Sequence, residues 1–242
     1  GGSAVGTGLN THPEYRCRGV QGLAQYTGIP FRPAENLIEA MQCQLAMSAL
    51  AAALRLFCLE LTRISNDLRL LCSGPLTGIA EIVLPSVQPG SSIMPGKVNP
   101  SMAENLNLVL FQVLGQCQAL DYCVQAGQLE LNVMMPSMAF SAQFSLQVLT
   151  NTLNTFTDNC LVGIRANEEK VRYYAEISPS LATALNTYVG YKTAADVVKR
   201  ALAENKTIPE VVRELGLLDE DTLAKALDPS KLTEPGIPGV TH

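Results

Sequence analysis

Tryptophan is absent from this 242-residue chain, and the other aromatics are few, so that all three types make up 5% of it. The core must therefore be built from Leu, Ala, Val and Met, a set weighted toward helix formers. Charge is also sparse, at 16% Asp, Glu, Lys and Arg with a net −5. No basic run stands out, which removes the electrostatic footprint of a nucleic-acid partner. Histidine occurs twice, as His12 and His242, and none of the seven cysteines forms a C-x-x-C pair. Those two absences argue against a zinc site built from Cys and His, and no metal ligands are assigned. An odd number of scattered thiols fits a reducing cytoplasm better than a disulfide framework. Their place inside apolar patterns marks them as small buried residues. No stretch of about 18 uncharged apolar residues occurs, so no membrane span is expected, and no signal peptide is visible. The chain is expected in the cytoplasm. It opens on Gly-Gly without an initiator methionine, as a processed chain or the back part of a longer protein would.

What is present is a chain that is 47% hydrophobic, enough for a sizeable core. After a loop-rich opening, a helical pattern runs from about Leu37 to about Cys72, with Leu50, Leu54, Phe57, Leu61, Ile64, Leu68 and Leu71 at alternating spacings of four and three. That is the seam of a helix packed in a bundle. A second long helix is predicted from Pro100 to Gly127 on Leu106, Leu110, Val113, Cys117, Leu120 and Val124, with Asn99 as N-cap and Pro100 at the first position. A third should run from about Pro136 to Cys160 with Phe140, Phe144, Val148 and Leu149 inward. Beyond Gly163 the elements shorten, to roughly 167–175, 180–187, 191–205, 207–215 and 219–227, and "DPSKLTEPGIPG" ends the chain as a loop. The expected class is all-α: a long-helix bundle over residues 1–162 and a small helical C-terminal domain over 163–242. Helices apolar on more than one face call for burial against other subunits.

Between the first two long helices lies "PSVQPGSSIMPGKVNPSMAENL", residues 85–106. By composition alone it is a connector, since Gly and Pro are the usual punctuation between helices. Its details suit an anion site instead. Lys97 directly precedes a helix N-terminus, whose free N–H groups and positive dipole end favour a carboxylate. Gly90 and Gly96 flank Ser91 and Ser92 and would give the loop hinge-like freedom, as a lid needs. Such parts support removal of a proton beside a carboxylate. Lys97, the Asn99 amide and the helix N-terminus would face the growing charge, each such donor being worth roughly 3 kcal/mol. A serine can be the base only as an alkoxide held by positive charge and backbone donors.

"GSSIMPGKVNP" resembles the signature of the fumarase/aspartase superfamily, and "GGSAVGTGLNTHPEY", "SNDLRLLCSGP" and "ELNVMMP" match further blocks, so that the resemblance runs from residue 1 to about 239. The whole chain is similar to the C-terminal half of these enzymes. The resemblance implies a lyase that catalyses reversible α,β-elimination to fumarate through an aci-carboxylate, without an organic cofactor. It implies Ser91 as the base, Lys97 and Asn99 binding a substrate carboxylate with Ser92 shaping the loop beside them, and Glu104 supporting an active-site histidine from another segment. His12 does not match that histidine and is read as a surface or packing residue. The substrate would be a small dicarboxylate, and the protein a homotetramer whose sites are shared between three subunits. This chain alone would then lack a complete site.

The substrate is less sharply marked. "GGSAVGTGLNTHPEY" and "TALNTYVGY" resemble fumarases, whereas "AGQLELNVM", "FTDNCLVGI" and "LTEPGIPG" resemble aspartases. Met135 stands where fumarases usually have arginine and aspartases glutamate, and Leu76 where both commonly have arginine. The longer aspartase-like stretches favour an aspartate ammonia-lyase of amino-acid metabolism. A class II fumarase is the alternative, and an inactive fragment or structural protein of the same fold is a third reading.

Overall fold

A computed structural model describes residues 3–238; Gly1, Gly2 and residues 239–242, His242 and the last glycine of the C-terminal loop among them, lie outside the described residues. The architecture is all-α. The chain divides into two units, Gly1–Ser73 with Leu84–Ile164, and Gly74–Val83 with Arg165–His242.

The first unit opens with α1 (Tyr15–Thr27) and α2 (Leu37–Gln42), followed by three long helices, α3 (Leu45–Leu71), α4 (Ser101–Gln125) and α5 (Met135–Asn159). Asn36 caps α2 by accepting from the N–H groups of Ile38 and Glu39. The helix predicted to be continuous from Leu37 is interrupted at Cys43, whose backbone is extended, and resumes as α3. Helix α4 packs between α3 and α5, which barely touch each other. Its buried seam of Leu106, Leu110, Val113, Cys117 and Leu120 follows the predicted spacing. Opposite it, α3 buries Ala51, Leu54, Cys58 and Ser65, while α5 buries Met138, Ser141, Ala142, Ser145, Leu149, Thr152 and Phe156.

The expected inward faces of α3 and α5 hold in part: Leu54 and Leu149 are buried, and Leu50, Leu61, Leu68 and Val148 pack against the core. Phe57 and Ile64 of α3 are exposed, and Phe140 of α5 is 62% exposed and stacks on Phe144 along the outer side. Large and small side chains share the helix contacts, Leu54, Met138, Leu149 and Phe156 being buried beside Ala51, Cys58 and Ala142. Helix α3 is also long and apolar enough to cross a membrane by length and composition. Its polar links lead into the bundle, however: Arg55 pairs with Asp121 of α4 at 2.5 Å, and the Ser65 hydroxyl donates to the Ala103 carbonyl at 2.9 Å.

Asn132, 2% exposed, ties the turn between α4 and α5. Its amide Nδ2 donates to the Cys123 and Val124 carbonyls, its Oδ1 accepts from the Met134 N–H, and its own N–H donates to the Met41 carbonyl. One side chain thus satisfies the orphan carbonyls ending α4 and an orphan donor beginning α5.

The second unit contains a two-stranded antiparallel pairing of β1 (Ile82–Val83) with β2 (Arg165–Ala166), with Ile82 opposite Ala166. Helices α6 (Glu168–Ile177), α7 (Asn186–Val189), α8 (Tyr191–Glu204), α9 (Ile208–Glu214) and α10 (Glu220–Ala226) follow, with a 3₁₀ segment at Pro179–Leu185. Leu185, Val197, Ile208, Val211, Val212 and Leu223 form its core. Thr207 and Glu210 make a reciprocal capping box at the start of α9, and Asp219 caps α10. The segment Gly74–Val83, placed by the sequence pattern with the first domain, groups with this unit because β1 pairs with β2 and the Tyr174 hydroxyl reaches the Gly78 carbonyl.

Asn132→Ala should lower unfolding stability by about 2 kcal/mol, as expected for one lost cap and buried acceptors left bare; chemical denaturation of the folded protein measures it. Burial, aided by the neighbouring Cys117, pushes the Cys58 thiol from 9.0 to about 11. A raised folded pKa keeps the thiol neutral, so Cys58 should resist alkylation at pH 8–9 and react only as the pH nears about 11 or the chain unfolds. Exposed Cys17 is the internal control in a mass-spectrometric time course.

Candidate active site

The loop from Pro85 to Pro100 closes on itself at its base. The Gly90 N–H donates to the Lys97 carbonyl at 3.0 Å, and the Asn99 side-chain amide donates to the Gly90 carbonyl at 2.9 Å. A side chain at Gly90 would collide with the Lys97 carbonyl and stand 3.1 Å from the Asn99 nitrogen. Gly90 is thus a pinned closure point and not the hinge expected from composition. Gly96, at φ +78° with open space around it, is the residue that requires glycine's conformational freedom.

Within the closed loop, the Ser91 hydroxyl oxygen accepts two backbone hydrogen bonds, from the N–H of Ile93 at 3.1 Å and of Met94 at 3.0 Å. Ser91 is half-buried, and Ser92 and Lys97 are exposed beside it. The Lys97 N–H donates to the Met94 carbonyl at 3.3 Å, completing the turn. Ile93, Met94 and Val98 are exposed.

Helix α4 begins one residue later than expected, at Ser101 with Pro100 in the capping position. Asn99 thus falls one residue outside the cap, and its Nδ2 donates to the Gly90 carbonyl instead. Glu104 lies in the first turn of α4, half-buried, with its N–H donating to the Pro100 carbonyl. Burial raises the Cys72 thiol above its ordinary range, and Glu104 adds to that while Arg69 opposes it. Ser91, Ser92, Lys97 and Asn99 therefore share one loop, and Glu104 follows at the helix it leads into. His12 is exposed and accepts from the Glu14 N–H through Nδ1, a surface role.

Sequence reasoning missed the polar cluster behind Glu104. Asn107 of α4 donates to Asn66 Oδ1 of α3 at 2.9 Å, and Arg69 Nη1 donates to the same oxygen at 3.3 Å. Asn66 and Arg69 lie in the "SNDLRLLCSGP" block, yet Asn107 sits in an apolar seam that spacing alone assigns to core. Among the described residues no group of three or more His, Cys, Asp and Glu is arranged to hold a metal. A cavity of about 660 Å³ is lined by residues of the second unit, including Arg172, Leu181 and Arg213.

Comparison with known proteins gives a family to this long-helix bundle with a backbone-closed Ser-Lys-Asn loop at a helix N-terminus. The family described as Lyase matches residues 1–115, and that described as Fumarase C C-terminus matches residues 181–234. An aspartate ammonia-lyase of a Bacillus species is 45% identical over 239 residues, covering 99% of this chain and 51% of that one. A class II fumarate hydratase of Halalkalibacterium halodurans is 40% identical over 235 residues, covering 97% and 51%. The crystal structure of a fumarate lyase:delta crystallin from Brucella melitensis bound to cobalt superposes with a TM-score of 0.91 at 42% identity, over 97% of this chain and 51% of that one. The chain belongs to the fumarase/aspartase superfamily. It spans about half the length of the curated relatives it matches.

Gly90→Ala in the full-length protein should cut turnover more than tenfold, because the loop cannot close around a methyl group. Gly96→Ala meets no atom and should cost less, near the roughly 1 kcal/mol of a left-handed alanine. Steady-state rates of both variants test the order.

Proposed function

We propose that this chain is the loop-bearing half of an aspartate ammonia-lyase, supplying the base and one carboxylate site for elimination of ammonia from L-aspartate to give fumarate. The observation that carries this reading is the Ser91 oxygen held by the N–H groups of Ile93 and Met94. Two backbone donors aimed at one oxygen favour its anionic form and bring a hydroxyl within reach of acting as a base.

In this scheme the Ser91 alkoxide takes a proton from the carbon beside the side-chain carboxylate. The electron pair spreads onto that carboxylate as an aci-carboxylate. It then returns to form the C=C bond while the C–N bond breaks and ammonia leaves. Lys97 supplies a point charge to the carboxylate. An amide has two N–H donors, so Asn99 can close the loop with one and meet substrate with the other. Glu104 supports a histidine carried by another segment. Ser92 shapes the loop. The open face of the loop fits a site completed by other subunits of a homotetramer, and the exposed Phe57, Phe111 and Phe140 fit helices that pack across such an assembly. The reading is of a cytoplasmic enzyme of amino-acid metabolism. A class II fumarase, interconverting malate and fumarate, is the second reading, favoured by "TALNTYVGY" and by the relative of that name.

With full-length protein, L-aspartate should yield fumarate, seen as rising absorbance of the conjugated diacid; reaction of L-malate and not aspartate would install the second reading. Ser91→Ala should lower turnover at least roughly a thousandfold, about 4 kcal/mol, with dicarboxylate inhibitor binding little changed. Lys97→Ala should weaken inhibitor binding and rate together, and Ser92→Ala should be milder than either. A Ser91→Ala enzyme keeping more than about a tenth of its turnover would make the loop a connector.

A further inference from the structure

Asn107 is 4% exposed, and its side-chain oxygen has no hydrogen-bond partner among the described residues. The orientation of that amide is fixed by its neighbours. Arg69 has only donors, so the atom of Asn66 that receives Nη1 must be an oxygen. The atom of Asn107 that faces the same oxygen must then be its NH₂. What is left over is therefore an acceptor, and flipping either amide would set donor against donor or acceptor against acceptor. A buried amide oxygen left bare is costly, so the position calls for a donor that the described residues do not provide.

Its location narrows the donor's purpose. Asn107 is three residues along α4 from Glu104, the spacing that puts side chains side by side on a helix. Both reach toward the end of α3: Glu104 bears on Cys72, and Asn107 binds Asn66. The Glu104 carboxylate has no ion-pair partner among the described residues. Two acceptors on one helix face, without donors, make a receptor for N–H groups. The bond to Asn66 uses only the NH₂ of Asn107, so it does not account for an oxygen buried in a seam otherwise made of Leu, Val and Cys; a docking donor does.

We infer that Asn107 is a positioning residue: its Oδ1 accepts a hydrogen bond from a donor on another segment of the assembled enzyme and, beside Glu104, fixes how that segment presents its reactive group. The inference rests on the lyase reading for its kinetic half and on the orphan acceptor for its structural half. No proton transfer is assigned to Asn107 itself.

Asn107→Thr and Asn107→Val in full-length protein form the test, since the two side chains share a shape and differ by one hydroxyl. Threonine can donate to Asn66 and still accept the incoming donor; valine can do neither. We expect the N107T enzyme to keep turnover within about threefold of wild type and its melting temperature within about 2 °C. N107V should lose at least tenfold in kcat with KM within about threefold, and should melt several degrees lower. Equal kcat for the two variants would overturn the positioning role. That includes the case in which N107V melts lower yet turns over normally, the signature of an internal water as the only partner. N107V melting at or above wild type would overturn the docked donor, because removing a truly orphaned acceptor relieves a cost. If N107V is not recovered folded, Asn107→Ala compared with Asn107→Ser reads the same hydroxyl difference. A wild-type protein inactive on both L-aspartate and L-malate would sink the lyase reading and the positioning role with it, while the melting temperatures would still decide the donor.

Discussion

Helix α4 is the member on which the first unit depends. Its seam of Leu106, Leu110, Val113, Cys117 and Leu120 is covered by Ala51, Leu54 and Cys58 of α3 and by Met138, Leu149 and Phe156 of α5. Close approach of backbones lets each methyl group meet many neighbours, and packing at that density transmits strain instead of absorbing it. Because α4 is fixed so firmly, whatever hangs from its ends is fixed too. The N-terminal end carries the loop with Ser91 and Lys97. The C-terminal end is closed by Asn132, which also starts α5. The placement of this loop is thus a consequence of core packing, with the loop's own hydrogen bonds adding its internal shape.

That internal shape is made of backbone. The Gly90 and Lys97 peptide groups clasp each other, the Asn99 amide locks the clasp, and two further N–H groups converge on the Ser91 oxygen. Backbone donors lose little freedom when they bind and cannot swing away, so they stay aimed as charge develops. The lysine and the second serine remain exposed on the rim.

The sequence was most legible where chemistry is local. The α4 spacing, the run of short helices after Gly163 and the block around Ser91, Lys97 and Asn99 could all be read from residue order. Three things could not. How far the buried stripe of α3 and α5 extends is set by the neighbouring helix, so Phe57, Ile64 and Phe140, at the edges of stripes that bury Leu54 and Leu149, are exposed. Gly90 was read for flexibility, yet its role is steric and visible only once Lys97 lies against it. Asn107 was hidden by its apolar neighbours, since nothing in a heptad-like pattern says that a polar residue has a polar partner 41 positions away.

The second unit draws its strand β1 from residues 74–83 and everything else from beyond residue 164. The chain therefore visits this unit twice, on either side of the Ser91 loop and of α4 and α5. A polypeptide begun at Arg165 would carry five helices but would lack the strand that pairs with β2 and the carbonyl that receives Tyr174. Excision at the apparent seam would give an incomplete body, and a swap of this unit between related lyases would have to move two separate pieces of chain together. The loop between those pieces is inherited in the same exchange or is left behind with mismatched anchors, so recombination within the family is constrained by a ten-residue return that composition does not announce.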